Sequence, residues 1–301
     1  MLNWFQVALS HMPSTQALMG QLLIGLINGA FYALLSLGLA IIFGRLNIIN
    51  FVQGALYMMG AFCAYLLLQQ LGIGYWPSLV IAPIVVGAFG IVLERLFLRR
   101  IYKLYHLYGL LLTFGLSLVI QGLFQRGYGS SGQAYSIPSQ LAWGLHLGFM
   151  YLPMYRAWVI VASVIACAVT WFLIERTRLG SYLRATTENA TLVQAFGINV
   201  PRMITLTYGF GVALAAFAGV MAGPIYQVNP LMGADLIIVV FAVVVIGGMG
   251  SILGSIVTGF ALGLIEGLTK VFYPEASNTV IFIIMAIVLM IKPAGLFGTQ
   301  R

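Results

Sequence analysis

The chain has 301 residues, of which 61% are hydrophobic and only 7% are charged. So few charged residues cannot cover a water-facing surface, and the composition therefore excludes a soluble globular protein and indicates an integral membrane protein. The net charge of +8 does not indicate a nucleic-acid-binding protein, because the sequence contains no basic, aromatic-bearing soluble domain.

Continuous apolar runs predict the membrane-spanning segments, since a helix needs about 20 mostly apolar residues to cross the hydrocarbon core. Eight runs are interpreted as spans, at residues 19–43, 52–68, 76–93, 108–124, 157–174, 204–222, 253–272 and 279–291. A ninth run, at residues 236–246, is short and ends in a glycine cluster, so it is either a span or a re-entrant half-helix. Because the runs do not alternate with polar residues, they favour helices over a β-barrel. We expect an all-α, polytopic transmembrane bundle of eight or nine spans with broken helices, in a single domain over residues 1–301.

The positions of the basic residues predict the orientation of the chain. Lys and Arg concentrate in the cytoplasmic loops of membrane proteins. Here they follow the third and fifth runs, as Arg95, Arg99, Arg100 and Lys103, and as Arg176, Arg178, Arg184 and Arg202. These segments are therefore expected in the cytoplasm, with the amino terminus on the periplasmic side. The carboxyl terminus is cytoplasmic if the run at 236–246 crosses or is matched by a broken helix, which gives nine crossings.

Two polar interruptions separate neighbouring runs. Asn50, Gln53 and Gly54 lie where the chain passes from the first run into the second, and Asn229 and Gly233 precede the short run at 236–246. Non-helical backbone at membrane depth is tolerated only where protein or a water-filled cavity satisfies it, and transporters hold substrate at such broken helices. The alternative is that both interruptions are ordinary surface loops.

A substrate pathway is predicted along five polar residues, Asn28, Asn50, Gln53, Tyr57 and Asn229. Asn50 and Gln53 precede a helix start, where backbone N–H groups favour an anionic or carbonyl-bearing solute. Asn28 lies one turn before Phe31 and Tyr32 in the first run, and it is equally suited to an interhelical hydrogen bond.

The segment between the fifth and sixth runs is predicted to contain a short amphipathic helix within residues 186–198. Thr187 is placed to cap this helix with Glu188 in its first turn, and Gly197 is placed to end it. Leu192, Val193 and Phe196 give it an apolar face. Such a helix either inserts into a groove on a partner or lies flat on the lipid headgroups.

Small residues recur every four positions in two of the later runs. In lipid, helices associate by packing rather than by the hydrophobic effect, and a stripe of small residues lets a neighbouring backbone approach closely. We therefore predict close helix packing at Gly211, Gly219, Gly259, Gly263 and Gly267.

The ionisable residues give no sign of catalysis. Glu266 lies within an apolar run, but Lys270 follows one turn later, so the spacing predicts an ion pair rather than an isolated functional acid. The sequence has no ATP-binding loop, no metal-ligand spacing and no catalytic constellation. We therefore expect no enzyme activity, no cofactor and no metal site. Any energy for transport must come from an ion gradient or from another subunit.

Several short motifs occur in a fixed order along the chain, at Asn50-Phe51-x-Gln53-Gly54-x-x-Tyr57-Met58-x-Gly60, Glu94-Arg95, Arg178-Leu179-Gly180, Arg184-Ala185 with Glu188, Gly197-Ile198-Asn199, Asn229-Pro230, Gly247-Gly248-x-Gly250-Ser251 and Pro293-x-Gly295-Leu296. Their order and spacing resemble the permease subunits of ABC importers for branched-chain amino acids, the LivH type. The resemblance extends from about residue 21 to residue 298. One departure is that members commonly carry His-Gly-Glu where this chain has Gln53-Gly54-Ala55.

The resemblance implies a coupling helix at residues 188–197 that docks into a cytoplasmic ATPase, with coupling residues Arg184, Glu188, Ala190, Leu192, Phe196 and Gly197. It also implies a second homologous permease subunit, two cytoplasmic ATP-binding subunits and a periplasmic solute-binding protein, assembled in the lipid of the bacterial inner membrane without nucleic acid. The implied function is uptake of branched-chain amino acids or of related solutes such as urea, short amides or aromatic acids. The alternative is a secondary transporter or channel that works alone.

Overall fold

The computed structural model describes residues 15–46, 50–102, 106–146, 148 and 151–298, and most of these residues are helical. The main helices are α1 (Thr15–Leu46), α2 (Val52–Leu71), α3 (Tyr75–Leu93), α4 (His106–Tyr128), α5 (Met154–Glu175), α6 (Arg178–Glu188), α7 (Ala190–Ala195), α8 (Val200–Tyr226), α9 (Ala234–Gly247), α10 (Ile252–Phe272) and α11 (Val280–Ile291). A π-helical turn, Glu94–Leu98, and a short helical segment, Arg99–Ile101, extend α3. Two short antiparallel strands, β1 (Gly144–His146) and β2 (Tyr151–Pro153), lie before α5.

Seven of these helices are long and apolar enough to cross a membrane, namely α1, α2, α3, α4, α5, α8 and α10. The prediction of an all-α polytopic bundle is therefore confirmed. The predicted span at 279–291 is shorter than a full span in the structure, because α11 has only 12 residues. The helix at the short ninth run, α9, has 14. At about 1.5 Å per residue, neither covers the full hydrocarbon core. They pack against each other through Ile246 and Ile281, among other residues.

The helix α1 forms the centre of the bundle. In the most apolar 18-residue stretch of α1, 83% of the residues are buried inside the protein, compared with 28% in the corresponding stretch of α4. A helix surrounded by protein has no face that must be polar, which explains why α1 is apolar on all sides. The outer helix α4 instead exposes large apolar side chains such as Leu111 and Leu123, as a surface in contact with acyl chains requires.

Backbone contact between α1 and α10 is made possible by glycine on both helices. Gly263 lies directly against the backbone of Gly29, and Gly259 lies against Ala33. One turn further along, Gly267 lies against Gly25. A Cβ atom on any of these three α10 residues would overlap the neighbouring backbone.

The chain after α11 returns to the end of α9. The backbone N–H of Leu296 donates to the Ile246 carbonyl at 2.8 Å, and that of Phe297 donates to the Gly247 carbonyl at 3.2 Å. Gly248 takes a φ of 99°, which favours glycine, at the point where the chain leaves α9.

We predict that Gly263→Leu destabilises the bundle, because its side chain would have to separate α10 from Gly29. Overpacking of this kind costs about 1–3 kcal/mol of unfolding free energy or more. The measurement is the thermal midpoint of the detergent-purified protein.

The matched control for this prediction is Gly115→Leu in α4. No atom lies within 4 Å of a Cβ built on Gly115, so the same substitution has open space there. Equal midpoints for the two variants would show that the α1–α10 contact is not close enough to require glycine.

Candidate functional site

The two polar interruptions that the sequence indicates meet inside the bundle. Gly54, in the first turn of α2, packs against Gly233, which directly precedes α9. A Cβ atom on Gly54 would lie 3.1 Å from the carbonyl carbon of Gly233 and 3.1 Å from the Cβ of Ile237. The start of α2 and the start of the short helix α9 are thus adjacent, and the expectation of broken helices is confirmed.

Asn50, Gln53 and Tyr57 lie in the interior next to this contact, and their side chains have no exposed surface. The amide nitrogen of Asn50 donates to the Tyr208 hydroxyl at 3.2 Å. The amide nitrogen of Gln53 donates to the Gly211 carbonyl in α8 at 3.0 Å. Asn50 and Gln53 therefore hold the start of α2 against α8 through their donor groups.

One polar oxygen on each of these three residues has no hydrogen-bond partner in the described part of the chain. Asn50 Oδ1, Gln53 Oε1 and the Tyr57 hydroxyl are buried, and they have no hydrogen-bond partner among the residues that the structure describes. A buried polar atom without a partner costs about 1–3 kcal/mol. The two amide oxygens are unused acceptors, and the Tyr57 hydroxyl is unused both as a donor and as an acceptor, within the segment that leads into α2 and its first two turns. In this conformation they are closed off from the surface, so a solute reaches them only if the surrounding helices move.

Asn229 has a local role in the loop before α9. Its Oδ1 atom accepts the backbone N–H of Leu231 at 3.0 Å, which is a turn within the loop. The preceding residue, Val228, exchanges two backbone hydrogen bonds with Gln133 at 2.7 and 2.9 Å. The structure therefore places Asn229 in a half-buried turn that the loop around Gln133 holds in position.

Asn28 belongs to a second polar group, which joins α1, α8 and α10. Its Oδ1 atom accepts from the Tyr226 hydroxyl at 2.6 Å, and its amide nitrogen donates to Glu266 Oε1 at 3.4 Å. The Tyr32 hydroxyl donates to Glu266 Oε2 at 2.7 Å. Of the two interpretations of Asn28, the interhelical hydrogen bond is therefore present in this structure.

The same group contains the expected ion pair. Lys270 Nζ lies 2.5 Å from Glu266 Oε1, which confirms the prediction from their spacing. The carboxylate is buried while the ammonium side chain is about one-third exposed, so the lysine reaches toward the surface. Tyr226 is 43% exposed and Asn28 is half-buried, so this polar group borders a face of the bundle. Tyr226 was not predictable as a partner of Asn28, because the two residues lie 198 positions apart in the sequence.

The segment between α5 and α8 contains two helices instead of the single predicted one. The expectation that Thr187 caps a helix with Glu188 in its first turn is wrong, because Glu188 is the last residue of α6. The cap of α7 is Asn189, whose side chain accepts the backbone N–H of Leu192 at 3.0 Å. Asparagine is a stronger N-cap than threonine, which accounts for the shift of two residues.

The end of α7 lies where the sequence predicts it. Gly197 has a φ of 83°, its N–H donates to the Gln194 carbonyl, and the next N–H, that of Ile198, donates to the Val193 carbonyl. This pair of bonds is a Schellman motif. Of the predicted apolar face, Val193 is buried against the protein, whereas Leu192 is 55% and Phe196 is 76% exposed.

Arg184 and Gly180 hold the helix before α7 against the end of α5. Arg184 Nη1 lies 3.1 Å from Glu175 Oε2 and donates to the Ile174 carbonyl at 3.0 Å. Gly180 also lies against the Ile174 carbonyl, where no larger residue fits. Among the other predicted coupling residues, Ala190 begins α7, and the side chain of Glu188 lies outside the described residues.

The sequence of this bundle matches a known family of membrane proteins. Residues 21–289 match the family described as the permease component of branched-chain amino acid transport systems. The chain belongs to this family. No solved structure is significantly similar to it.

Curated members of this permease family are similar to the chain over nearly its full length. It is 31% identical to the permease protein BraD of Pseudomonas aeruginosa, a high-affinity branched-chain amino acid transport protein, over 95% of this chain and 98% of the relative. It is 30% identical to LivH of Escherichia coli K12, over 92% and 94% of the two chains. It is 27% identical to LivM of the same strain, over 90% of this chain and 68% of the relative. The resemblance to the LivH type is confirmed, and the chain is a multi-pass membrane permease.

Proposed function

We propose that this chain is a transmembrane permease subunit of an ABC importer that takes up branched-chain amino acids or related small amphipathic solutes across the bacterial inner membrane. The observation that carries the proposal is the similarity to BraD and LivH over 95% and 92% of the chain. The sequence contains no ATP-binding loop, so separate ATPase subunits supply the energy.

The geometry of α7 supports the coupling part of this proposal. Leu192 and Phe196 are exposed on a short helix, and α6 before it is held to the end of α5 by Arg184 and Gly180. Exposed apolar side chains on a short helix are suited to a groove on a partner protein. Because the backbone contact at Gly180 and the Arg184–Glu175 ion pair hold α6 to the end of α5, a displacement of α7 would be passed on to α5.

The proposed orientation puts α7 in the cytoplasm. Most of the arginines lie in the extension of α3, at the end of α5, in α6 and at the start of α8, among them Arg95, Arg99, Arg176 and Arg202. We call this the basic end of the bundle. Since basic segments remain on the cytoplasmic side, the amino terminus is periplasmic and the carboxyl terminus is cytoplasmic.

The translocation pathway is proposed along Asn28, Asn50, Gln53, Tyr57 and Asn229. The unpartnered acceptors of α2 support this assignment, because a buried acceptor that costs stability and has no structural partner calls for a functional explanation. A solute with an ammonium group would supply the missing donors, once the helices around α2 open. The half-exposed group around Asn28 and Tyr226 would border the same route at its outer part.

The proposed complex contains four kinds of subunit. Two ATP-binding subunits meet the basic end, and a periplasmic solute-binding protein delivers the solute at the opposite end. A second homologous permease completes the membrane part, and the similarity to LivM as well as LivH supports a pair of related permeases. The rival function is a channel or secondary transporter, which would move solute in liposomes without ATPase subunits.

We predict that Phe196→Asp abolishes ATP-dependent leucine uptake by the complete complex in proteoliposomes. The exposed ring would be replaced by a charge that an apolar groove cannot hold without a large desolvation cost. Membrane insertion should be unchanged, because the side chain is exposed in the isolated chain.

Gln194→Asp is the matched control, since Gln194 is exposed on the same helix but polar. It should retain most of the uptake. If Phe196→Asp supports uptake and ATP hydrolysis at the rates of the unmodified protein, α7 is not the coupling element.

We predict that single cysteines at Ser131 and Ser139 react with an impermeant thiol reagent in intact cells, whereas one at Asn189 does not. All three positions are exposed, so accessibility depends only on the side of the membrane. The background for this labelling experiment replaces Cys63 and Cys167 by alanine. Labelling at Asn189 from outside would invert the proposed orientation.

We predict that Gln53→Leu lowers leucine uptake at least severalfold with little loss of stability. Leucine has a similar size, and it removes an unpartnered oxygen together with one hydrogen bond, so the unfolding free energy should change by less than about 1 kcal/mol. Uptake and thermal midpoint are measured on the same preparations.

Ser163→Ala serves as the comparison, because Ser163 Oγ is also buried without a partner among the described residues but lies in α5, away from the helix starts. It should leave both quantities unchanged. Full uptake by Gln53→Leu would make Gln53 a packing residue only.

A further inference from the structure

A cavity of about 380 Å³ lies between the extension of α3 and the start of α8, at the basic end of the bundle. Three arginines line it, Arg95, Arg99 and Arg202, together with Asn199, Pro201 and Thr205. In the part of the chain that the structure describes, the ion pairs are Arg184–Glu175 and Lys270–Glu266, so the three cavity arginines have no carboxylate in contact. Three like charges around one space favour binding of an anion.

The carboxylate of Glu94, which precedes Arg95 in the sequence, does not line this cavity. Glu94 is only 1% exposed. Its Oε1 atom accepts from the Tyr102 hydroxyl at 2.8 Å, and its Oε2 atom accepts from the Thr205 hydroxyl at 2.7 Å. Because both oxygens are occupied by neutral donors, the acid lies behind the cavity wall. The guanidinium groups remain available to a ligand.

The π-helical turn explains how the acid and the arginines are separated. Within Glu94–Leu98, the first and last side chains are buried, while Arg95 is exposed. The following N–H, that of Arg99, donates to the Glu94 carbonyl five residues earlier. Such turns inside α-helices occur frequently at functional sites. Here the turn directs Glu94 toward α8 and leaves Arg95 and Arg99 at the cavity.

The donors around the cavity match phosphate. A guanidinium group is a planar fork that binds phosphate oxygens in pairs, and arginine is preferred where that geometry matters. Asn199 Oδ1 is already used, since it accepts the backbone N–H of Arg202 at 3.1 Å, so its amide nitrogen is the group left for a ligand. The three guanidinium groups and the Asn199 amide thus offer cations and donors to a ligand.

The side chains that continue from the cavity along the helices are apolar and exposed. Leu96 is 50% and Phe97 is 42% exposed beside Arg95. Leu206, one turn after Arg202 in α8, is 65% exposed. A cationic cavity at the end of two spanning helices, followed by exposed apolar side chains, has the layout of a phospholipid, with its headgroup and then its acyl chains.

We propose that the cavity formed by Arg95, Arg99 and Arg202 binds the phosphate headgroup of an anionic phospholipid, whose acyl chains lie along Leu96, Phe97 and Leu206. A phospholipid headgroup and free phosphate would both present a phosphate group to the arginines. The apolar surface next to the cavity favours the lipid. Asn199 and Pro201 lie a few residues after α7, so the bound headgroup contacts the chain that connects α7 to α8.

The test measures lipid binding by the full chain in a neutral detergent. Dioleoyl phosphatidylglycerol and dioleoyl phosphatidylcholine are titrated, and bound lipid is counted by native mass spectrometry. Phosphatidylglycerol should bind more tightly. Arg95→Gln combined with Arg202→Gln should weaken it by about twenty-five-fold, since each arginine near an anionic headgroup contributes about a factor of five.

The control is Arg100→Gln combined with Arg178→Gln, which removes the same charge from exposed positions at the same end of the bundle. This variant should lose much less than the cavity variant. Equal losses in the two variants would overturn the proposal, because they would mean that the lipid responds to overall charge and not to the cavity.

Two further experiments distinguish a lipid from a free anion and from an acidic segment of a partner protein. Inorganic phosphate should fail to raise the thermal midpoint at concentrations where phosphatidylglycerol does so, and equal stabilisation would overturn the lipid assignment in favour of a free anion. In the complete complex, the cavity variant should still co-purify with the ATPase subunits. Loss of those subunits, with no bound phosphatidylglycerol in the unmodified complex, would identify the cavity as a contact for an acidic partner segment.

Discussion

Close approach of helix backbones is the constraint on which this structure depends. In lipid the apolar side chains gain little by leaving one hydrocarbon surface for another, so the helices are held by dense packing and interhelical hydrogen bonds. Glycine on both sides of the α1–α10 contact, as at Gly29 and Gly263, brings the two backbones together. The same device at Gly54 and Gly233 joins the two chain breaks, and so the position of the polar interior follows from small residues.

The close backbone contacts between helices determine which polar groups can reach each other. Gln53 reaches the Gly211 carbonyl because α2 and α8 meet without bulky side chains between them, and Gly211 itself lies against Gly38 of α1. Near the other end of α1, the proximity of α10 brings Glu266 within reach of Tyr32 and Asn28. Hydrogen bonds then add specificity to a packing that glycine permits. The polar network and the glycine stripes are therefore two aspects of one arrangement.

The elements that were predictable from the sequence are those with a local physical cause. Hydropathy predicts the long spans, the four-residue spacing predicts the Glu266–Lys270 pair, and a glycine after an apolar helix predicts the end of α7 at Gly197. The start of α7 was misplaced because Thr187 and Asn189 are both capable of capping, and the choice depends on how far α6 continues. The Tyr226–Asn28 bond and the cavity around Arg95 and Arg202 were not predictable, because they join residues that only the folded bundle brings together.

The return of the chain from α11 to α9 has a consequence for biogenesis. The last carbonyls of a helix need partners from elsewhere, and those of Ile246 and Gly247 receive them from Leu296 and Phe297. During synthesis the end of α9 leaves the ribosome about fifty residues before these donors do. The nascent bundle therefore holds an incomplete helix end until the segment after α11 has been made, and Leu296 and Phe297 then supply the missing donors. The segment after α11 thus completes α9, since a chain that lacked Leu296 and Phe297 would also lack these two hydrogen bonds.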